Sequence, residues 1–243
     1  MSLGVLMAAV AGAGTFLGGL ALIAGGRWSS GVLKIFISLG AGFMLAVALL
    51  EVLPESQTHL PAALPVALAG YLLIHLFEHC LVPHFHFGEE THQHGPYLSR
   101  AGGTAAFTGL ALHSFFDGVA IASGFLASVP LGALLFVGIA VHKLPEGFTL
   151  GSILLLTGRS PRQALLATAG LGVAVVLGAL TMSSMGGWLG VGLALSAGAT
   201  LYVAASDLVP EANREEGVAL PFTVFLGVLL YFLAKVLLLR AVG

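Results

Sequence analysis

The sequence predicts an all-α integral membrane protein with eight transmembrane helices in a single domain, residues 1–243. Three observations predict it. Hydrophobic residues make up 58% of the chain and charged residues 8%, against about 25% charged in a soluble domain, so a water-facing surface could not be covered. Cut at Pro, charge and polar clusters, the apolar stretches approach the roughly 20 residues that cross a bilayer. Two acidic or His-containing motifs each occur twice, which divides the stretches into related halves.

The cuts place helices at about 3–25, 31–53, 61–82, 104–126, 130–157, 161–185, 187–209 and 219–241. The first has no Lys or Arg before Arg27, so it lacks the basic start of a signal peptide and reads as a retained span. The second ends on LLEVLPE, the third at the polar stretch PHFHFGEETHQHGPYLSRAGG (83–103), and the remaining joints are short. Short joints make consecutive helices antiparallel neighbours. The 34 glycines, many within spans, allow close helix packing. The single cysteine, Cys80, excludes an internal disulfide and a Cys-rich zinc site. No basic stripe suggests nucleic acid.

Loop charge orients the chain. The loops after helices 1, 3, 5 and 7 hold Arg27, Arg100, Arg159, Arg162 and Arg214, and those after helices 2, 4 and 6 hold no Lys or Arg. Cytoplasmic loops are the basic ones, so both termini are expected outside and the 83–103 loop inside. Lys235 and Arg240 argue mildly the other way.

LAVALLEVLPE (45–55) aligns without gaps on LYVAASDLVPE (201–211), matching Glu51 with Asp207, Pro54 with Pro210 and Glu55 with Glu211. In the expected topology these helix ends lie at opposite faces of the membrane. Helices 1–3 and 6–8 then form an inverted repeat, a feature of transporters. The bland alternative is two unrelated acidic helix ends; the duplication favours ion entrance and exit positions at Glu51, Glu55, Asp207 and Glu211.

The second repeat pairs HSFFDG (113–118) with HKLPEG (142–147). Residues i and i+4 share a helix face, so His113 points with Asp117 and His142 with Glu146, both pairs near mid-span. Imidazole with carboxylate suits Zn²⁺, Fe²⁺ and Mn²⁺. A lone intramembrane His more often bridges helices by a hydrogen bond; two such pairs on adjacent helices argue for a metal site. Charge within a membrane is costly enough to indicate function. Met44 on helix 2 would add a soft thioether if it faced the site, and is otherwise an ordinary core or lipid-facing residue. His84, His86, His92 and His94 read as a loop that holds metal loosely, or as a plain solvated loop. Two other classes compete. HLFEH (75–79) matches a zinc-protease pattern, but it lies at the end of helix 3 and leaves both repeats unexplained. A channel without metal binding is the other.

At these residues the chain resembles the ZIP (Zrt-, Irt-like protein) family of divalent-metal transporters. The resemblance covers essentially the whole chain and rests on GFMLAVALLEVLPE, HSFFDG, HKLPEG, LYVAASDLVPE and the His-rich loop. It implies a 3+2+3 arrangement of eight helices, outer termini, a cytoplasmic His loop, often a homodimer, and movement of Zn²⁺ or a similar ion toward the cytoplasm. The metal is then substrate, with no resident cofactor and no enzymatic activity. By motif position His113, Asp117, His142 and Glu146 fall on the family's transport site, and Met44 on a position that supplies a ligand in some members. Two residues depart. Ser114 stands where the family commonly has Asn, and Lys143 where it commonly has Asn, Asp or Glu; both positions help build a second metal site where one exists. Segment 161–185 also has no Asp or Glu. The expectation is that the Lys143 ammonium, with Asp117 and Glu146 as its available partners, takes the place of a second cation, neutralises Asp117 and leaves one metal site built on His113, His142 and Glu146.

Overall fold

The computed structural model describes residues 2–25, 30–77, 100–212 and 219–242. The chain forms eight helical rods among them. These are α1 (Leu3–Ile23), α2 (Ser30–Val47, continued by the π-helical turn Ala48–Val52 and Leu53–His59) and α3 (Ala63–Leu76). Then come α4 (Arg100–Ala127), α5 (Val129–Leu156), α6 (Pro161–Ser184), α7 (Leu189–Tyr202, continued by the π-helical turn Val203–Leu208 and Val209–Ala212) and α8 (Ala219–Val242). Seven are long and apolar enough to cross a membrane; α3 is a shorter apolar helix over its described residues.

Local chemistry sets several boundaries. Ser2 caps α1 by accepting from the Val5 amide. One residue, Ser128, separates α4 from α5; its hydroxyl accepts from the Leu131 amide, and Pro130 sits in the first turn of α5. Proline is well tolerated there because its missing N–H has no partner in a helix start. Ser160 and Gln163 form a reciprocal capping box that opens α6.

The expected boundaries need four corrections. Residues 100–103, expected in the His-rich loop, already belong to α4. Helix 1 ends at Ile23, where Ala24 and Gly25 turn the chain with Gly25 at φ 84°. Helix 2 runs through Pro54 to His59, and helix 7 through Pro210 to Ala212. Proline removes an amide and crowds the carbonyl four residues back. Both helices absorb this by widening into a π turn just before it: the Leu53 amide reaches the Ala48 carbonyl, and the Val209 amide reaches that of Ala204. These are matched positions of the repeated motif.

Packing divides the rods into two groups. α1, α4, α5 and α6 each touch the other three, while α2 pairs with α8 and α3 with α7. Close approaches recur in duplicate. A Cβ on Gly42 of α2 would strike the Val224 carbonyl of α8, and one on Gly198 of α7 would strike the Ala67 carbonyl of α3. Gly42 and Gly198 each lie three residues before the aligned stretches of the repeat, so the same register pairs them. Likewise a Cβ on Gly147 would strike the Thr15 carbonyl of α1, and one on Gly118 the Val175 carbonyl of α6. Those glycines end HKLPEG and HSFFDG. Bare backbone is therefore what lets α5 lie on α1 and α4 on α6, which sets where the two His motifs sit. The outer surface is apolar, with Phe222, Phe225 and Leu229 of α8 exposed, as lipid contact requires.

Candidate metal site

α4 and α5 bring the two His motifs face to face inside the first helix group. One ligand atom from each of His113, Asp117, His142 and Glu146 lies within 4.8 Å of the others, and all four residues are buried. His113 Nε2 stands 3.1 Å from Asp117 Oδ2 and 3.7 Å from Glu146 Oε2; His142 Nε2 stands 3.5 and 3.9 Å from the same oxygens. The i, i+4 spacing supplies each pair, and the α4–α5 contact joins the pairs.

The His142 ring is oriented from behind. Its Nδ1 lies 3.2 Å from the Gly138 carbonyl, one turn back on α5. A carbonyl only accepts, so Nδ1 donates to it, and Nε2 is the ring nitrogen left to ligate a metal in the cluster. That Nε2 has no hydrogen-bond partner among the described residues. A buried polar atom without a partner is costly, and here it points at two carboxylates and a second imidazole.

Lys143 is fully buried in the same cluster. Its Nζ lies 2.7 Å from Asp117 Oδ2 and 2.6 Å from Glu146 Oε2. It also donates to Ser114 Oγ at 2.9 Å, and Ser114 Oγ donates to Glu146 Oε1 at 2.9 Å. Asp117 Oδ2 thus has the ammonium at 2.7 Å and His113 Nε2 at 3.1 Å as its nearest polar neighbours. One ammonium against two carboxylates leaves one net negative charge facing two imidazoles. Such a cluster attracts a cation and offers it borderline ligands.

The remaining residues are placed as follows. Met44 is buried, and its Cγ packs 3.7 Å from where a Cβ on Gly138 would lie, one turn of α5 from His142. Glu51 lies in the π turn of α2 and Asp207 in that of α7. Glu55 contacts His59 at 3.2 Å, and Glu211 lies in the last described turn of α7. His84, His86, His92 and His94 lie outside the described residues, as do Glu78 and His79 of HLFEH. Sequence reasoning missed the surroundings of Glu51. Tyr231 Oη donates to Glu51 Oε1, and Lys235 Nζ lies 2.5 Å from the same oxygen. The signal was the i, i+4 spacing of Tyr231 and Lys235 on one face of α8.

Fold and site together define a polytopic helical membrane protein with a buried imidazole–carboxylate centre between two of its helices. The chain belongs to the ZIP family: the family profile described as ZIP zinc transporter matches residues 99–238. It is 30% identical over 231 residues to the zinc transporter GufA of Myxococcus xanthus, covering 88% of this chain and 90% of that protein. It is 30% identical over 127 residues to the zinc transporter ZupT of Escherichia fergusonii, 49% of each chain. With the human zinc transporter ZIP4 it shares 36% identity over 110 residues, 42% of this chain and 16% of that one.

Proposed function

We propose that the protein carries divalent transition-metal ions across the membrane, Zn²⁺ foremost and Fe²⁺, Mn²⁺ or Cd²⁺ as further substrates. Transport runs toward the cytoplasm. The ion is held between α4 and α5 by His113, His142 and Glu146, with Asp117 beside them and Met44 on the neighbouring α2. The observation that carries this reading is the buried four-residue cluster, whose ligand atoms lie within 4.8 Å of one another. Buried carboxylates this close repel unless a cation lies among them, and imidazole nitrogens select a transition metal over Mg²⁺ or Ca²⁺.

Lys143 supplies one such cation permanently. It stands where a second ion would bridge Asp117 and Glu146, so one ion is carried at a time and Ser114 serves as a hydrogen-bond relay, not a ligand. The frame of this reading is a 3+2+3 arrangement with helices 1–3 and 6–8 as an inverted repeat. The matched π turns and the duplicate glycine approaches support it. Glu51 and Glu55 lie at one mouth of the ion path and Asp207 and Glu211 at the other.

The test is metal uptake by the purified full chain in sealed vesicles, across a panel of divalent ions. Uptake of Zn²⁺ is expected. Glu146→Ala and His113→Ala should each abolish it while the protein remains folded by gel filtration. Near-normal uptake in both variants would remove the site assignment, and peptide cleavage without any uptake would favour the protease reading.

A further inference from the structure

A cavity of about 240 Å³ opens between α2, the start of α5 and α8, lined by Glu51, Glu55, Ser128, Leu131, Leu134 and Lys235 among others. It lies at the head of a seam that leads to the buried cluster. Leu131 and Leu134 line the cavity. One turn further along α5 is Gly138, against which Phe43 and Met44 of α2 pack. One turn further again is His142, whose Cβ would lie 3.5 Å from a Cβ built on Gly40 of α2. At 1.5 Å per residue, Leu134 and His142 are about 12 Å apart along the helix.

A cation already occupies this mouth. The Lys235 ammonium lies 2.5 Å from Glu51 Oε1, and Tyr231, itself fully buried, donates to the same oxygen. Joining α2 to α8 does not require the ion pair. Gly42 already lies against the Val224 carbonyl and Gly227 against that of Leu39, backbone on backbone. The pair's consequence is therefore electrostatic: it places a positive charge in the cavity and cancels that of Glu51.

We propose that Lys235 is a tethered competitor that sets the cation affinity of this mouth. An incoming divalent ion binds Glu51 only by displacing the ammonium, which swings away on its own flexible stem, while Glu55, beside His59 at 3.2 Å, stands ready as the second carboxylate. Weakly bound ions are turned back here, and the mouth releases its ion down the seam instead of trapping it. Tyr231 holds the Glu51 carboxylate in place while the cations exchange. The inference rests on reading Glu51 and Glu55 as one mouth of the ion path.

The experiment measures Mn²⁺ binding by electron paramagnetic resonance on the purified full chain. The background carries Glu146→Ala and His→Ser at the four loop histidines, so that the buried cluster and the loop no longer dominate. Adding Lys235→Gln should tighten Mn²⁺ binding about fivefold, the worth of a partly exposed ion pair, and Lys235→Arg should return it to the parent value. Glu51→Gln should erase the gain; made alone, with Lys235 and Tyr231 intact, it should remove the weak Mn²⁺ class of the parent. No tightening in Lys235→Gln, or tightening that survives Glu51→Gln, overturns the proposal. Binding at the mouth is read without transport, so absent Zn²⁺ uptake by the wild-type chain would strike the transport reading and leave this result standing.

Discussion

Replacing Lys143 with Ala tests the centre of the site directly. The wild-type ammonium is fully buried and lies 2.6 Å from Glu146, 2.7 Å from Asp117 and 2.9 Å from Ser114. Removing it leaves two carboxylates with no cation between them. Breaking a buried ion pair by deleting one partner costs about 3–5 kcal/mol, because the remaining charge stays buried. For a chain of this size each kcal/mol moves the melting temperature by about 2–4 °C, so a fall of order 10 °C is expected without metal. If the ammonium stands in for a second cation, the vacancy should accept one. Saturating Zn²⁺ at about 100 times its Kd would then restore about 2.7 kcal/mol. The assay is a thermal melt in detergent with and without Zn²⁺, joined to metal stoichiometry, on a full chain whose loop histidines are replaced by Ser. Wild type should hold one ion per chain within the helices and Lys143→Ala two. A variant that melts within about 2 °C of wild type, or a wild type that already binds two ions a few Å apart between α4 and α5, would refute the reasoning.

Three more outcomes are expected. With Cys80 replaced by Ser, a cysteine at Thr58 should be labelled only from outside and one within 86–95 only from the cytoplasm; the reverse pattern would overturn the orientation drawn from loop arginines. Replacing His84, His86, His92 and His94 with Ser should lower metal bound per chain while leaving uptake turnover largely intact, and complete loss of uptake would place the loop in the translocation step. Gly147→Ala forces a Cβ onto the Thr15 carbonyl and should cost about 1–3 kcal/mol of overpacking. Gly186→Ala, whose Cβ would meet nothing within 4 Å among the described residues, should melt like wild type; equal melting of the two would contradict the packing.

Much of the site was legible because its spacing is local. His113 with Asp117 and His142 with Glu146 are i, i+4 pairs, and helix geometry aims such pairs the same way wherever the helix lies. The Gly138 carbonyl behind His142 obeys the same rule. The extent of α2 and α7 was less legible. Pro54 and Pro210 read as stops, yet a π turn carries each helix past its proline, because widening the turn relieves the clash that would otherwise end it. The start of α6 was readable, since the expected span opens at the same residue, Pro161. The start of α4 was not, since the glycines at 102 and 103 read as loop when their real role is close contact: a Cβ on Gly103 would meet Thr157.

By itself the sequence determined the membrane class, through too few charges to face water, and the ligand chemistry, through two repeated motifs of helical period. Those properties depend on composition and on neighbours within one turn. Only the tertiary structure decided that the motifs converge within 4.8 Å, because the α4–α5 crossing depends on where Gly118 and Gly147 let each helix settle against α6 and α1. It alone placed Lys143 between both carboxylates, where the sequence offered them only as available partners. It alone brought Lys235 and Tyr231 to Glu51 across 180 or more positions of chain. Contacts between distant helices follow from packing shape, which no local period encodes.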